Sequence, residues 1–391
     1  MSAPAHDPAL QQRLLDGRTV GDPAADAVVA AFRDLPGGRG WALLDAALAG
    51  RPLPGTPREV HDLLAPVVEP PAWLDPELAD AGALAFWKGG AQPISLALAA
   101  GSLAFGYQSA FLVRPLAATG RLERMASRRM GETARWVLEV TTPGGMRVDG
   151  RAVAPGVAAS IHVRMVHALV RDHLLRDPTW DRASWGVPIS ASDTLVTAIG
   201  GFHVVPLRAM RDLGVRHSRA ELEALTHLWR WIGFVTGAPE ELLPHSYREA
   251  CTTIGTALDL DPGPNEDSAK LLHALLHHGV SLQRVLPGPT HVPAEFLATQ
   301  ILGMYTRRWM GDEMADRLDV PASPLRHLLP GLRPLMLARD ALRWTGVLGS
   351  EERLVAREIA GVRRTLGLAG AAPAALDPRD VAQEPALPRA A

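Results

Sequence analysis

The stretch Gly156-Val-Ala-Ala-Ser-Ile-His162-Val-Arg-Met-Val-His167-Ala-Leu-Val-Arg171-Asp-His173-Leu-Leu-Arg176 decides how the chain reads. Its apolar residues return every three to four positions, the period of a helix with one buried side. Three histidines ride on it. At about 100° per residue, His162, Val166, Leu169 and His173 fall along one line, flanked by Met165 and Val170. His167 stands at the border of that arc beside Val163, Val170 and Leu174, with Arg164 and Arg171 beyond it. A neutral imidazole entering an apolar pocket is what an axial haem ligand requires. A core histidine bonded to a carbonyl is the plainer reading of any one of them. Spacing slightly favours His162 or His173 and leaves the choice open.

The same period recurs along the chain. It predicts helices at about 24–34, 57–66, 77–87, 91–112, 120–141, 156–176, 192–213, 218–236, 239–257, 266–285, 293–309, 324–345 and 350–366. Ser218-Arg-Ala-Glu221 is a capping box, Pro239-Glu-Glu suits a helix start, and Asp193 follows Ser192 as a first-turn residue with a capping or a functional role. Residues 142–155 read as a glycine-rich loop or at most a short hairpin, and Gly37-Gly-Arg-Gly40 as a turn. No repeat and no alternating β-branched run appears. The expected fold is all-α: one large helical domain over 24–367, an N-terminal arm at 1–23, and a tail at 368–391 expected to be disordered.

Composition narrows the function. The 40 Lys+Arg against 42 Asp+Glu give a net charge of −2, without the basic surplus of a nucleic-acid or anionic-membrane binder. One cysteine, Cys251, excludes an intrachain disulfide and every multi-cysteine metal cage. The N-terminus shows neither a basic n-region nor an apolar h-region, so a cytoplasmic location is expected. The uncharged stretch Gly89 to Val113 has the length of a membrane span. Its Gln92, Pro93, Ser95, Ser102, Gln108 and Ser109 favour a buried core helix, and no stable membrane insertion is expected.

Walker A, G-x-G-x-x-G, G-x-S-x-G and H-E-x-x-H patterns are missing. On the helix preceding the histidines, Arg129 and Thr133 are four residues apart, with Glu132 beside them. A cation, a hydroxyl and a carboxylate on one face suit anion binding, polarisation of dioxygen or proton movement, and equally a solvated Arg/Glu face. His273 and His277 are spaced for one metal ion without an evident third ligand, and His227 with Trp231 reads as aromatic packing.

Five segments in order carry a resemblance: Arg128-Arg-Met-Gly-Glu-Thr133; Arg164-Met-Val-His167-Ala-Leu-Val-Arg171; Asp193-Thr-Leu-Val-Thr-Ala-Ile-Gly-Gly-Phe202; Leu213-Gly214 with His227-Leu-Trp-Arg-Trp-Ile-Gly233; and Glu240-Glu-Leu-Leu-Pro244. Together, over roughly residues 80–310, they resemble the catalytic-domain family of rubber oxygenases (latex-clearing proteins) and MpaB-type oxygenases. The resemblance implies a globin-like core around one haem b. His167 would be the iron ligand, on an R-x-x-H-A-x-x-R helix whose Arg171 is a further candidate for holding the cofactor. It matches Arg129 and Thr133 to the residues that shape the oxygen-binding side. The rubber-cleaving members carry a lysine immediately before that threonine, where this chain has Glu132, a candidate base or a partner for Arg129 or Arg135.

The resulting expectation is a haem b-dependent oxygenase acting with dioxygen on a small apolar, alkene- or lipid-like substrate. Arg129, Glu132 and Thr133 are its candidate catalytic residues. Its rivals are a haem carrier or sensor without oxygenase activity, a cofactor-free helical interaction module, and a non-haem His/Glu metal site.

Overall fold

The structure is a computed structural model that describes residues 7–118, 126–278 and 294–368. Asp-Pro pairs open three of its helices: α1 (Pro8–Gly17), α2 (Pro23–Phe32) and, after α3 (Arg39–Leu48) and α4 (Arg58–Val68), α5 (Pro76–Trp87). In each, the aspartate accepts from first-turn N–H groups and the proline occupies a position whose own N–H would be orphaned. Neither α1 nor α3 was expected. The stretch read as an arm carries α1, whose Leu10 and Leu14 are buried in the main core. The turn at Gly37-Gly38 runs directly into α3.

The apolar segment 91–112 is not one helix. Helix α6 (Ala91–Tyr107) is π-helical over Ala97–Leu103, and α7 (Ala110–Ala118) leaves it at 88°. Ser109 makes the break: its Oγ donates to the Asp261 carboxylate and accepts from Leu112 N at 3.3 Å, starting a new helix. Among the described residues, no single helix is long and apolar enough to cross a membrane.

Helix α8 (Ala126–Thr141) leads through a two-residue antiparallel hairpin, Val148–Asp149 with Ala152–Val153, into α9 (Pro155–Arg176). Next comes α10, running as Ala191–Leu195, the π-helical Val196–Val204 and Val205–Leu213. Its cap is Ser190, not Ser192. Ser190 and Asp193 form a reciprocal capping box, while Ser192 Oγ donates to the Leu14 carbonyl at 2.7 Å. The expected box of Ser218 and Glu221 opens α11 (Arg219–Val235). The expected helix at 239–257 divides, because Pro244 interrupts it: a 3₁₀ turn spans Glu240–Leu242 and α12 runs Tyr247–Asp259. The remainder is α13 (Glu266–His278), α14 (Ala294–Met310), α15 (Asp312–Arg317), α16 (Leu329–Trp344) and α17 (Glu351–Thr365).

These helices make one domain. A main hydrophobic cluster reaches from Leu10 to Leu368, with a smaller one where α13 and α14 pack on α6. Its centre is aromatic: Trp229, Trp136 and Phe202 lie 5.0–6.0 Å apart by ring centroids, a spacing at which rings attract beyond simple burial. Helices α5 and α11 approach most closely at Gly82, where a Cβ would sit 2.4 Å from the Ala224 carbonyl oxygen. Ion pairs bind α9 to the N-terminal layer: Arg164 holds Asp22 through Nε (2.5 Å) and Nη2 (2.9 Å).

Candidate functional site

A cavity of about 340 Å³ opens between helices α6 to α10. Val163, Val166 and His167 line it from α9, at the three- and four-residue spacing that keeps side chains on one helical face. Glu132, Thr133 and Trp136 line it from α8 with the same logic. The two π-helical segments add Ser102 and Leu103 of α6 and Thr197, Ala198, Gly201 and Phe202 of α10, and α7 adds Phe111, Leu112, Pro115 and Leu116. A π turn widens the backbone and re-aims side chains, which is why such segments gather at ligand sites.

Gly201 lines the cavity without a side chain. A Cβ there would meet Ser102 Oγ at an ordinary contact distance of 3.8 Å, and at Gly106 it would meet nothing within 4 Å. At Gly200, by contrast, it would press on Ile254 Cδ1 at 3.1 Å. Mostly apolar walls with one imidazole fit an apolar group ligated by a single histidine.

The structure separates the three histidines of α9. His167 reaches the cavity. His162 is buried away from it, its Nδ1 2.7 Å from the Ala158 carbonyl and its Nε2 2.8 Å from Asp45 Oδ1, with its ring stacked on Trp41. His173 is exposed. Thr133 and Glu132 share the cavity with His167, whereas the side chain of Arg129 lies outside the described residues. Arg171 departs from its expected cofactor-holding place. It is buried against Asp26, with Nη2 2.8 Å from Oδ1, and its Nη1 donates to the Ile189 carbonyl at 2.8 Å. It binds α9 to α2 and does not line the cavity. The reason is that Asp26 offers a carboxylate where a buried guanidinium must be paired.

His227 accepts from Asp75 N at 3.0 Å and meets Trp73 edge to face. The side chain of His277 lies outside the described residues, and among these no group of three His, Cys, Asp or Glu could hold a metal ion.

Asp193 both caps and lines the site. Its Oδ2 accepts from Ser190 N at 2.9 Å. Burial pushes its carboxyl above the usual range, with Arg18 opposing. Sequence reasoning overlooked Trp136, Thr197 and Gly201 as wall residues. The spacing Thr194, Thr197, Gly201, which follows one helical face, was the signal available.

Comparisons with known proteins agree with this architecture. Residues 87–344 match the family model "ER-bound oxygenase mpaB/B'/Rubber oxygenase, catalytic domain". The chain is 27% identical over 342 residues to the rubber oxygenase of Streptomyces sp. (strain K30), covering 83% of this chain and 77% of that protein. Its fold is similar to that of the latex clearing protein LCP in the closed state, with a TM-score of 0.64 at 22% identity, over 88% of this chain and 91% of the other. The family match spans well over half of the residues and includes every segment that builds the cavity. The chain belongs to the MpaB/rubber oxygenase catalytic-domain family.

Proposed function

We propose that the cavity binds haem b and that the protein is an oxygenase for a small apolar molecule of alkene or lipid type. One observation carries this reading: a single imidazole, His167, and the pair Glu132–Thr133 enter the same apolar chamber from adjacent helices. His167 is the residue that would ligate the iron, and Trp136, Phe202 and the wall at Gly201 would take the porphyrin body. When bound, the haem would supply activation of dioxygen. The chain supplies the rest. Its apolar walls exclude water and receive the substrate's hydrocarbon. The Thr133 hydroxyl offers a hydrogen bond to a developing negative charge. The Glu132 carboxylate, carried where resembling enzymes have lysine, can accept a proton from the reacting molecule and return it.

The Streptomyces relative is named for rubber. For this chain we propose a smaller substrate met in the cytoplasm, which cell fractionation of the native host would test. The main experiment is an absorption spectrum of the purified protein reconstituted with haem, with and without dithionite and carbon monoxide. The expected result is a Soret band that His167→Ala abolishes or shifts, with oxygen uptake on adding apolar alkenes. A protein that takes up no haem sinks the reading. Glu132 in place of a cation favours a second one, a haem carrier or sensor, which a haem-loaded protein inert to every alkene would support.

A further inference from the structure

A second cavity, of about 40 Å³, adjoins the first, and Phe105, Phe111, Leu112 and Asp193 line both. Its charged groups come from three distant parts of the chain: Arg18 just after α1, Asp193 on α10, and Asp261 after α12. Asp261 is already engaged, accepting from Ser109 Oγ and, at 2.8 Å, from Gly263 N. Asp193 likewise has its backbone partner at Ser190.

Arg18 is different. Its side chain is only 16% exposed, and its guanidinium lies over the Phe111 ring. Among the described residues its hydrogen bond goes to the Trp185 carbonyl, from Nη2 at 3.1 Å. The Asp193 carboxylate stays 3.6 Å from Nη1, beyond hydrogen-bond reach. Arg18 thus has an ion pair with Asp193 and one hydrogen bond, while its Nε and Nη1 donate no hydrogen bond to the described residues at the edge of the small cavity. Arg114, stacked over the Trp185 ring, adds a second positive charge on this side, facing the Asp193 and Asp261 carboxyls that also act on Arg18. The ligand that best fills the free donors of a guanidinium fork is a carboxylate.

We propose that Arg18 anchors a carboxylate at the end of the molecule that occupies the apolar cavity. The chemistry has two possible sources, a porphyrin propionate or the head of a fatty-acid-like substrate. The inference rests on the cavity being a ligand chamber, as in the proposed function. It goes beyond that reading because Arg18 lies outside the matched residues 87–344 and makes a specificity device of the N-terminal helix.

The test compares two ligand pairs on the full-length protein by quenching of tryptophan fluorescence: haem against haem dimethyl ester, and oleate against oleyl alcohol. At least one acid should bind about tenfold more tightly than its uncharged counterpart. Arg18→Gln should erase that preference, and Arg18→Lys should restore part of it. A preference in the haem pair assigns the propionate; one in the oleate pair assigns the substrate. Equal affinities within both pairs for the wild type, or a preference that survives Arg18→Gln, overturns the proposal. If neither haem nor its ester binds, the haem reading falls and the oleate pair alone still decides Arg18. Should Arg18→Gln not fold by circular dichroism, Arg18→Met replaces it in the same comparison, and equal wild-type affinities within both pairs overturn the proposal without either variant.

Discussion

Arg171 Nη2 lies 2.8 Å from Asp26 Oδ1, so the guanidinium one turn beyond His167 is spent on helix α2 and not on the cavity. The pair is asymmetric, with the arginine side chain 2% exposed and the aspartate 39%. Removing the aspartate leaves a buried cation without its partner. Asp26→Ala should therefore destabilise the protein by about 3 kcal/mol, measured by urea unfolding, while haem uptake by the folded fraction is unchanged. A loss below about 0.5 kcal/mol would show that the pair contributes only what an exposed one does.

His162 and His167 should behave as opposites. His162→Ala removes two hydrogen bonds and a stacked ring, and is expected to cost about 2–3 kcal/mol of stability while leaving the haem spectrum intact. His167→Ala should alter the spectrum at little cost in stability. Spectra and urea midpoints of both variants check this, and an exchange of the two phenotypes would contradict the assignment.

Gly201→Leu tests the cavity wall. The first added carbon has its nearest neighbour at 3.8 Å, so the fold should tolerate the change. Replacing a helical glycine should even raise stability by a few tenths to about 1 kcal/mol. The added isobutyl group takes up part of the chamber, and haem or oleate affinity should fall tenfold or more. Unimpaired binding would mean that the ligand lies elsewhere.

The buried histidine of α10 sets a pH dependence. His203 is held at about 3, down from an ordinary 6.5, first by burial and then by the charge of His217. Its Nε2 lies 2.9 Å from Thr226 Oγ1. An unfolded chain takes up a proton below about pH 6.5 that the folded one refuses, so stability falls as pH drops from about 6.5 toward 3. The slope should approach 1.4 kcal/mol per pH unit for this group, roughly. His217, also depressed mainly by burial, steepens the same window. Urea midpoints at pH 7 and pH 5 should differ accordingly, and less in His203→Gln. An identical slope in the variant would remove His203 from the account.

Much of this was readable in advance where the cause is local. The Ser218–Glu221 box depends on residues three apart, and the structure has it as expected. Helix α9 spans Pro155–Arg176 against an expected 156–176 because its apolar stripe is unbroken. The failures have distant causes. The segment 91–112 bends because Ser109 finds Asp261, far along the chain. Helix α1 is docked because Leu10 and Leu14 meet the core, which no local pattern announces.

Periodicity and Gly/Pro punctuation by themselves determined the all-helical class, and five short segments in order pointed to the family. Which imidazole meets the cavity was decided only in three dimensions. His162 and His167 point about 140° apart around one helix, and a helix does not carry the position of its neighbours. Asp45 and Trp41 of α3 claim the first ring, while α8 and the π-helical wall of α10 leave space before the second. Arg171 was decided the same way: a buried guanidinium needs a carboxylate partner, and only the packing of α2 on α9 brings Asp26 to it.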